Sequence, residues 1–151
     1  EVDFESELDR HVGIAFQVRG RKQEALDLYN RVLAQDPADA DAWFYRGTVL
    51  RELGQRDEAV ASHRRALRQR PDHDKAMNDL AFMLFNRGDS REAVALLRRA
   101  VELDPSDAKA IKNLAVGLLS LGNVEEANAW LRKAGLPPVK HVVKEDDTPA
   151  P

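Results

Sequence analysis

The sequence predicts an all-α solenoid of about eight helices that pair as antiparallel hairpins. Four residue types recur at a spacing of 34 residues, and the segments between them carry apolar residues at helical spacing. The recurring columns are Gly20, Gly54, Gly88 and Gly122; Ala25, Ala59, Ala93 and Ala127; Glu24, Glu58, Glu92 and Glu126; and Pro37, Pro71 and Pro105. A period of this length is typical of helical hairpins that bury their apolar faces against neighbouring hairpins.

Each unit is predicted to begin with a helix that ends at the recurring glycine. In the second unit, the segment 40–53 carries Trp43, Leu50 and Leu53 at helical spacing. The glycine that follows, Gly54, fits a left-handed C-terminal cap, because a Cβ makes that backbone conformation unfavourable.

The second helix of each unit is predicted to run from just after this glycine to the recurring proline, which cannot continue a helix. Two of these helices are expected to begin with capping boxes, and the recurring glutamate lies near the positive end of the helix dipole. The two capping boxes are Asp89–Glu92 and Asn123–Glu126. Small residues allow the two helices of a unit to approach closely. On the first helices they are Gly13, Gly47, Ala81 and Ala115.

The units resemble the tetratricopeptide repeat (TPR). The motif residues are Trp43, Arg46, Gly47, Leu50, Ala59, His63, Ala66 and Pro71 in the second unit; Leu80, Ala81, Leu84, Gly88, Ala93, Leu97, Ala100 and Pro105 in the third; and Val12, Gly13, Phe16, Gly20, Ala25, Tyr29 and Pro37 in the first. Two positions depart from the family pattern. His63 stands where the family usually has a large aromatic residue, and Val139 stands where the fourth proline would fall.

The resemblance covers about residues 6 to 136 and implies a right-handed superhelical α-solenoid. We expect a solenoid over 1–136, with units at about 6–39, 40–73, 74–107 and 108–136, and an extended or disordered tail at 137–151. The resemblance implies a protein–protein interaction module, such as a scaffold, adaptor or assembly factor, without enzymatic activity or a cofactor. The alternative is a regulatory or substrate-docking domain of a larger enzyme.

Family geometry places a mixed set of first-helix residues on a concave surface. Apolar anchors beside basic and amide side chains suit an extended peptide or an amphipathic helix as partner. The expected groove residues are Arg10, Ile14, Gln17, Phe44, Thr48, Arg51, Lys75, Asn78, Phe82, Phe85, Lys109, Lys112, Val116 and Leu119. The alternative for Phe44, Phe82 and Phe85 is that they fill the core between units, where aromatic residues at helical spacing usually lie.

One known binding mode of the family, a clamp of Lys, Asn and Arg around a C-terminal carboxylate, does not fit this sequence. In the registers that start at the first and the second unit, Asp79 is among the residues at the clamp positions. An acidic side chain where a cation is required would repel the carboxylate.

Composition excludes several other classes of function. The net charge of −3 argues against nucleic acid as the partner, because phosphate binding needs a surplus of Lys and Arg on one face. The chain has no cysteine, which excludes disulfides and thiolate metal sites, and no apolar run of the roughly 18 residues that a membrane-spanning helix needs. Its Arg- and Ala-rich composition hints at a bacterial source. The compartment stays open: the cytoplasm or, if a signal peptide has been removed, the periplasm.

Other candidate sites have simpler structural explanations. The triplet 72–74, Asp-His-Asp, looks like a metal site but lies at a turn between units, where Asp favours helix caps. For His63 we expect a hydrogen-bonded structural role at a helix interface. A basic run on the second helix of the second unit predicts a solvated convex face and, as the alternative, a patch for an acidic partner or nucleic acid. The run comprises Arg64, Arg65, Arg68 and Arg70.

The two ends of the solenoid differ in their expected packing. Val2, Phe4 and Leu8 are expected to cap the N-terminal face or, as the alternative, to pack on a preceding domain. At the other end no capping helix follows the last predicted helix, although solenoids normally need a polar cap. We therefore consider that Leu136–Val143 lies extended over a helical surface, either its own or that of a second copy in a homo-oligomer. The alternative is a frayed linker.

Overall fold

The structure is a computed structural model that describes residues 4–140 of the chain. Eight helices follow one another in this part: α1 Phe4–Val18, α2 Lys22–Gln35, α3 Ala40–Glu52, α4 Arg56–Gln69, α5 Asp74–Arg87, α6 Ser90–Leu103, α7 Ala108–Ser120 and α8 Val124–Lys133. No strand occurs among the described residues, and the predicted all-α architecture is confirmed. None of these helices is long and apolar enough to span a lipid bilayer.

The odd-numbered helices are the first helices of four successive units, and they line the inner side of the stack. Each helix packs against the next one along the chain, and α1, α3, α5 and α7 also contact one another in order. Successive second helices lie further apart and are bridged by long side chains, as where Arg64 pairs with Glu92 at 2.9 Å. A stack whose helices are closer together on one side curves toward that side, so the first helices form the concave face.

The recurring glycines lie in the left-handed region, as their position after the first helices predicts. Gly20, Gly54, Gly88 and Gly122 have φ values of 78°, 81°, 85° and 82°. At the end of α5, Gly88 is itself the C-cap residue, and its N–H donates to the carbonyl oxygen of Phe85 at 3.0 Å. The predicted left-handed caps are confirmed.

The predicted capping boxes at α6 and α8 are wrong. Asp89 and Asn123 occupy the N-cap positions, but neither side chain accepts a cap hydrogen bond. Their ψ angles of 51° and 64° lie outside the extended region from which an N-cap side chain normally reaches back to the first turn. The first helices do use such caps: at α3, the Asp39 carboxylate accepts from the N–H of Ala42 at 3.0 Å.

The close approach of the two helices within a unit depends on a matched pair of residues. A Cβ added at Gly13 would lie 2.7 Å from Cε1 of Tyr29, and one added at Gly47 would lie 2.8 Å from Cε1 of His63. Where the first helix carries alanine instead, the second helix carries leucine. These pairs are Ala81 with Leu97 and Ala115 with Leu131, all buried. The glycines thus make room for rings, whereas the units with alanine have leucine in place of the ring.

Candidate peptide-binding groove

The N-terminal half of the expected groove is engaged in contacts within the protein. Arg10 pairs with Asp39 at 2.5 Å, and the side chain of Gln17 accepts a hydrogen bond from the hydroxyl of Tyr29 at 2.9 Å. The hydroxyl of Thr48 donates to a backbone carbonyl of its own helix at 3.1 Å. The expected groove residues Arg10, Ile14, Gln17, Thr48 and Arg51 are all half-buried. This half of the concave face therefore offers little unused surface apart from Arg51, which also lines a small cleft beside α5.

Phe44 does not face the groove, so this prediction from the sequence is wrong. Its side chain is 9% exposed and packs with Ala66 and Ala76 between the second and third units. The centroid of its ring lies 5.6 Å from that of His63 and 5.0 Å from that of His73. Phe44 therefore belongs to the core, which was the alternative for an aromatic residue at helical spacing.

The expectation that Asn78 is available to a partner is also wrong. Asn78 stands one 34-residue period after Phe44, is 6% exposed, and donates from Nδ2 to the carbonyl oxygen of Asp74 at 3.2 Å. The side chain of Asn78 is therefore covered by the protein itself. Lys112 stands one period later, on the last described first helix, and is exposed.

Phe85 fills the space between the third and fourth units. Its side chain is half-buried, and a Cβ added at Gly117 of α7 would overlap its ring. The same Cβ would lie 2.7 Å from Cγ2 of Val94 on α6. The core alternative thus holds for most of the Phe85 ring, and the rest of the ring borders a cleft.

An open cleft of about 340 Å³ lies between α5 and α7, and two exposed apolar side chains stand on it. Phe82 is 52% exposed and Val116 is 61% exposed. The cleft is lined by Phe82, Phe85, Asn86, Ser90, Asn113, Val116 and Ser120. The lining amides and serines were not predicted from the sequence, although Asn86, Asn113 and Ser120 lie on the same first helices as Phe82 and Val116.

A second and smaller cleft, of about 170 Å³, lies on the other side of Phe82 and is basic. Its charged lining residues are Arg51, Arg56 and Arg87. Arg87 lies 3.9 Å from Asp57 and 3.7 Å from Asp89, which leaves the local charge only partly balanced. Phe82 therefore stands between an amide-lined apolar cleft and a cluster of guanidinium groups.

Three of the expected groove residues are lysines of the third and fourth units, two of which were expected near the edge of the groove. Lys75, Lys109 and Lys112 are exposed. Burial raises the pKa of Asp79. The nearby positive charges of Arg51, Lys109, His73 and Lys75 act in the opposite direction. Asp79 is thus a half-buried carboxylate in a basic setting. Its position fits the expectation that a carboxylate clamp does not form here.

The two buried histidines, His63 and His73, have structural roles, and the hydrogen bond expected for His63 is absent from the described part of the chain. His63 is fully buried, and neither of its ring nitrogens has a hydrogen-bond partner among the described residues. His73 caps α5: its Nδ1 accepts from the N–H of Ala76 at 3.2 Å, and its Nε2 lies 3.1 Å from the carboxylate of Asp41. The ring of His73 is therefore used as a helix cap.

The family of this chain follows from a comparison with known proteins. The sequence profile of the family described as the cytochrome c-type biogenesis protein H TPR domain matches residues 24–140. The chain belongs to this family. The match includes both units that form the cleft between α5 and α7, and it confirms the resemblance to TPR proteins. A comparison with curated protein sequences finds no match.

Solved structures of other TPR proteins share the fold. MamA from Desulfovibrio magneticus is 23% identical over 89% of this chain and 76% of its own, with a TM-score of 0.78. PilF of Pseudomonas aeruginosa is 21% identical over 85% of this chain and 59% of its own, with a TM-score of 0.75. YrrB, described as a TPR protein with an unusual peptide-binding site, is 29% identical over 81% of this chain and 63% of its own, with a TM-score of 0.70. The chain is thus a TPR-type protein–protein interaction module.

Proposed function

We propose that this chain is the partner-binding module of a protein of c-type cytochrome biogenesis and that it holds a segment of another protein in the cleft between α5 and α7. The observation that carries the proposal is the pair of exposed apolar side chains, Phe82 and Val116, on one concave cleft. Exposed apolar residues at the centre of a concave surface are typical anchors for a bound partner. The family name suggests that the partner is the cytochrome polypeptide or another biogenesis protein.

The chemistry of the cleft indicates which segments it would hold. Phe82 and Val116 would take an apolar side chain, and covering the exposed half of an aromatic ring contributes about 1–2 kcal/mol. Asn86 and Asn113 supply amide donors and acceptors for a backbone. The arginines beyond Phe82 and the lysines along the edge favour a segment with acidic residues on either side of its apolar anchor.

Binding rather than catalysis is favoured by the same lining. The cleft between α5 and α7 is bordered by phenylalanine, valine, asparagine and serine side chains, none of which ionises near neutral pH. General acid–base chemistry needs a group that titrates near the working pH and lies within reach of the substrate. Support for peptide binding also comes from YrrB, which is described as having a peptide-binding site.

The proposal is tested with peptides that tile c-type cytochromes and biogenesis proteins, measured by fluorescence anisotropy. Phe82→Ala and Val116→Ser are each expected to weaken a bound peptide about 10-fold or more, in line with the loss of a buried apolar anchor. Val18→Ser is the matched control, because Val18 is 82% exposed on α1 but lies away from this cleft. Equal peptide affinities for all three variants, with unchanged helical content, would show that the peptide binds to a different surface.

A further inference from the structure

The outer face of α1 has the character of an interface between units, although the described residues place no helix on it. In the later first helices, two positions of the repeat are buried against the preceding unit. They are occupied by Ala42, Ala76 and Ala110 and by Val49, Met83 and Gly117. The residues one period earlier on α1 are Leu8, which is 62% exposed, and Ala15, which is also exposed. α1 therefore has apolar residues at the positions of an inter-unit face, and no described helix covers them.

The outer face of α8 occupies the place at which, in the earlier units, the next first helix packs. Asn128 stands one period after Val94, which receives α7 at Gly117. Arg132 stands one period after Arg98, whose guanidinium pairs with Glu126 of the following unit at 2.8 Å. Arg132 is exposed and has no carboxylate within ion-pair distance among the described residues. The side of α8 that would receive another first helix thus keeps the arginine of an internal interface, but Asn128 replaces the valine.

The chain itself covers this side of α8. The N–H of Val139 donates to Oδ1 of Asn128 at 2.8 Å, and Nδ2 of Asn128 donates to the carbonyl oxygen of Val139 at 3.1 Å. Leu136 is half-buried against the same core. The described part of the predicted segment, 136–140, therefore lies on its own last helix, while residues 141–143 lie outside the described part of the chain.

We propose that residues 136–140 cap, within the chain, a face that docks α1 of a second copy of this protein. When the segment is released, copies stack end to end as the units do inside the chain. Asn128 is the residue that holds the cap closed, because its single amide satisfies both backbone groups of Val139. A valine, the residue at the equivalent positions of α4 and α6, could not do this.

Size and charge at the two ends support the second copy as the occupant. Inside the chain, Leu33 packs against Ala42 across the first interface between units. Just beyond the end of α8, Gly135 carries no side chain, and a Cβ added to it would meet nothing within 4 Å, which leaves room for the larger Leu8 of a second copy. Arg132 would extend the series of ion pairs by meeting Glu24, which in the single chain pairs with Arg21 of its own unit.

Docking of this kind joins two different surfaces, so it does not close on itself. Such a contact generates open chains of copies whose length grows with protein concentration. The capped state limits this growth because the tethered segment competes at a high local concentration for the same face.

Sedimentation velocity of the full chain over a range of concentrations tests the proposal. Asn128→Val removes the side-chain amide. Val139→Pro removes the backbone N–H that donates to this amide. Wild type is expected to sediment as a single copy, and both variants are expected to associate at a concentration at least about 10-fold lower than wild type, as expected for the loss of an effective intramolecular competitor. Adding Leu8→Lys to either variant should restore the single copy, whereas adding Val18→Lys should not.

Val18 is the matched control because it is an equally apolar and exposed residue of α1, but its equivalents Glu52, Asn86 and Ser120 are exposed in every unit. Circular dichroism checks that the variants keep their helical content. The proposal is overturned if both variants remain single copies, if wild type associates as readily as they do, if Leu8→Lys fails to reverse the association, or if Val18→Lys reverses it equally.

Discussion

The imidazole of His63 is buried between Gly47 and the ring of Phe44, and this surrounding decides its protonation. Burial lowers its pKa from 6.5 to about 4, and the charges of Arg51 and of protonated His73 act in the same direction. The folded chain therefore favours the neutral form of the imidazole. A histidine at a position that otherwise takes tyrosine or leucine makes the second unit sensitive to acid, because the unfolded chain protonates the ring much more easily than the folded chain does.

This difference predicts how stability depends on pH. Because the unfolded chain takes up a proton at His63 near pH 6.5 and the folded chain only near pH 4, the free energy of unfolding falls as the pH falls through this window. The contribution amounts to at most about 3 kcal/mol, since one pKa unit corresponds to about 1.4 kcal/mol. We expect His63→Phe to flatten this part of the profile in urea unfolding between pH 4 and 7.

The comparison for this prediction is His11→Gln, which removes an exposed histidine of α1. A residual slope is expected in His63→Phe, because burial also lowers the pKa of His73. If the profile of His63→Phe matches that of wild type over the whole window, the buried imidazole does not set the acid sensitivity.

At the scale of the helix pair, the distance between the two helices of a unit is set by one residue on each. Tyr29 and His63 lie against Gly13 and Gly47, so closely that a Cβ on either glycine would overlap the ring. A glycine inside a helix costs about 1 kcal/mol relative to alanine. In the first two units this cost is offset because the ring fills the space between the two helices. The last two units have alanine and leucine at these positions.

The pairing predicts a non-additive pair of substitutions. Gly47→Ala is expected to destabilise the chain by about 1–3 kcal/mol, because the clash with the ring outweighs the gain in helix propensity. The double variant Gly47→Ala/His63→Leu recreates the pair found in the third and fourth units, so it should be more stable than Gly47→Ala alone. Thermal and urea unfolding of the two single variants and the double variant measure the coupling. Purely additive changes in the free energy of unfolding would show that these two residues do not set the distance between the two helices.

At the scale of the whole molecule, stability depends on contacts between neighbouring units. Every described helix packs mainly against the helices next to it in sequence, and contacts between more distant units are absent among the described residues. In such a fold the inner units have a neighbour on both sides. The two ends differ: the face of α1 carries exposed apolar residues, whereas α8 is covered by the segment that contains Val139.

Hydrogen exchange is therefore expected to be graded along the chain. The amides of α1 should exchange fastest among the helices, and those of α3 to α6 slowest, because opening an end breaks one interface and opening the middle breaks two. Asn128→Val should increase exchange in α8 without changing α3. Mass spectrometry of exchanged peptides measures both effects, and uniform protection from α1 to α8 would contradict the graded picture.

Much of this protein follows from its sequence alone. The 34-residue period determines the four hairpins, because glycine is needed for each left-handed cap and proline cannot continue a helix. The resemblance to TPR proteins implies which helices line the concave face, and Phe82, Val116 and the three lysines that it places there are exposed. Local patterns of this kind act within one or two turns of the chain, so they can be recognised without knowing the packing.

The tertiary structure decided the rest. Phe44 and Asn78 are buried, although Lys112 at the same repeat position is exposed. Phe44 packs against Ala66 of its own unit and against Ala76 of the next. The ψ angles after the glycines, and not the residue types, determine that Asp89 and Asn123 do not cap their helices. In a solenoid, the exposure of a side chain depends on the neighbouring units. For that reason the sequence predicts a groove, and the structure shows that its exposed apolar side chains lie at the cleft between α5 and α7.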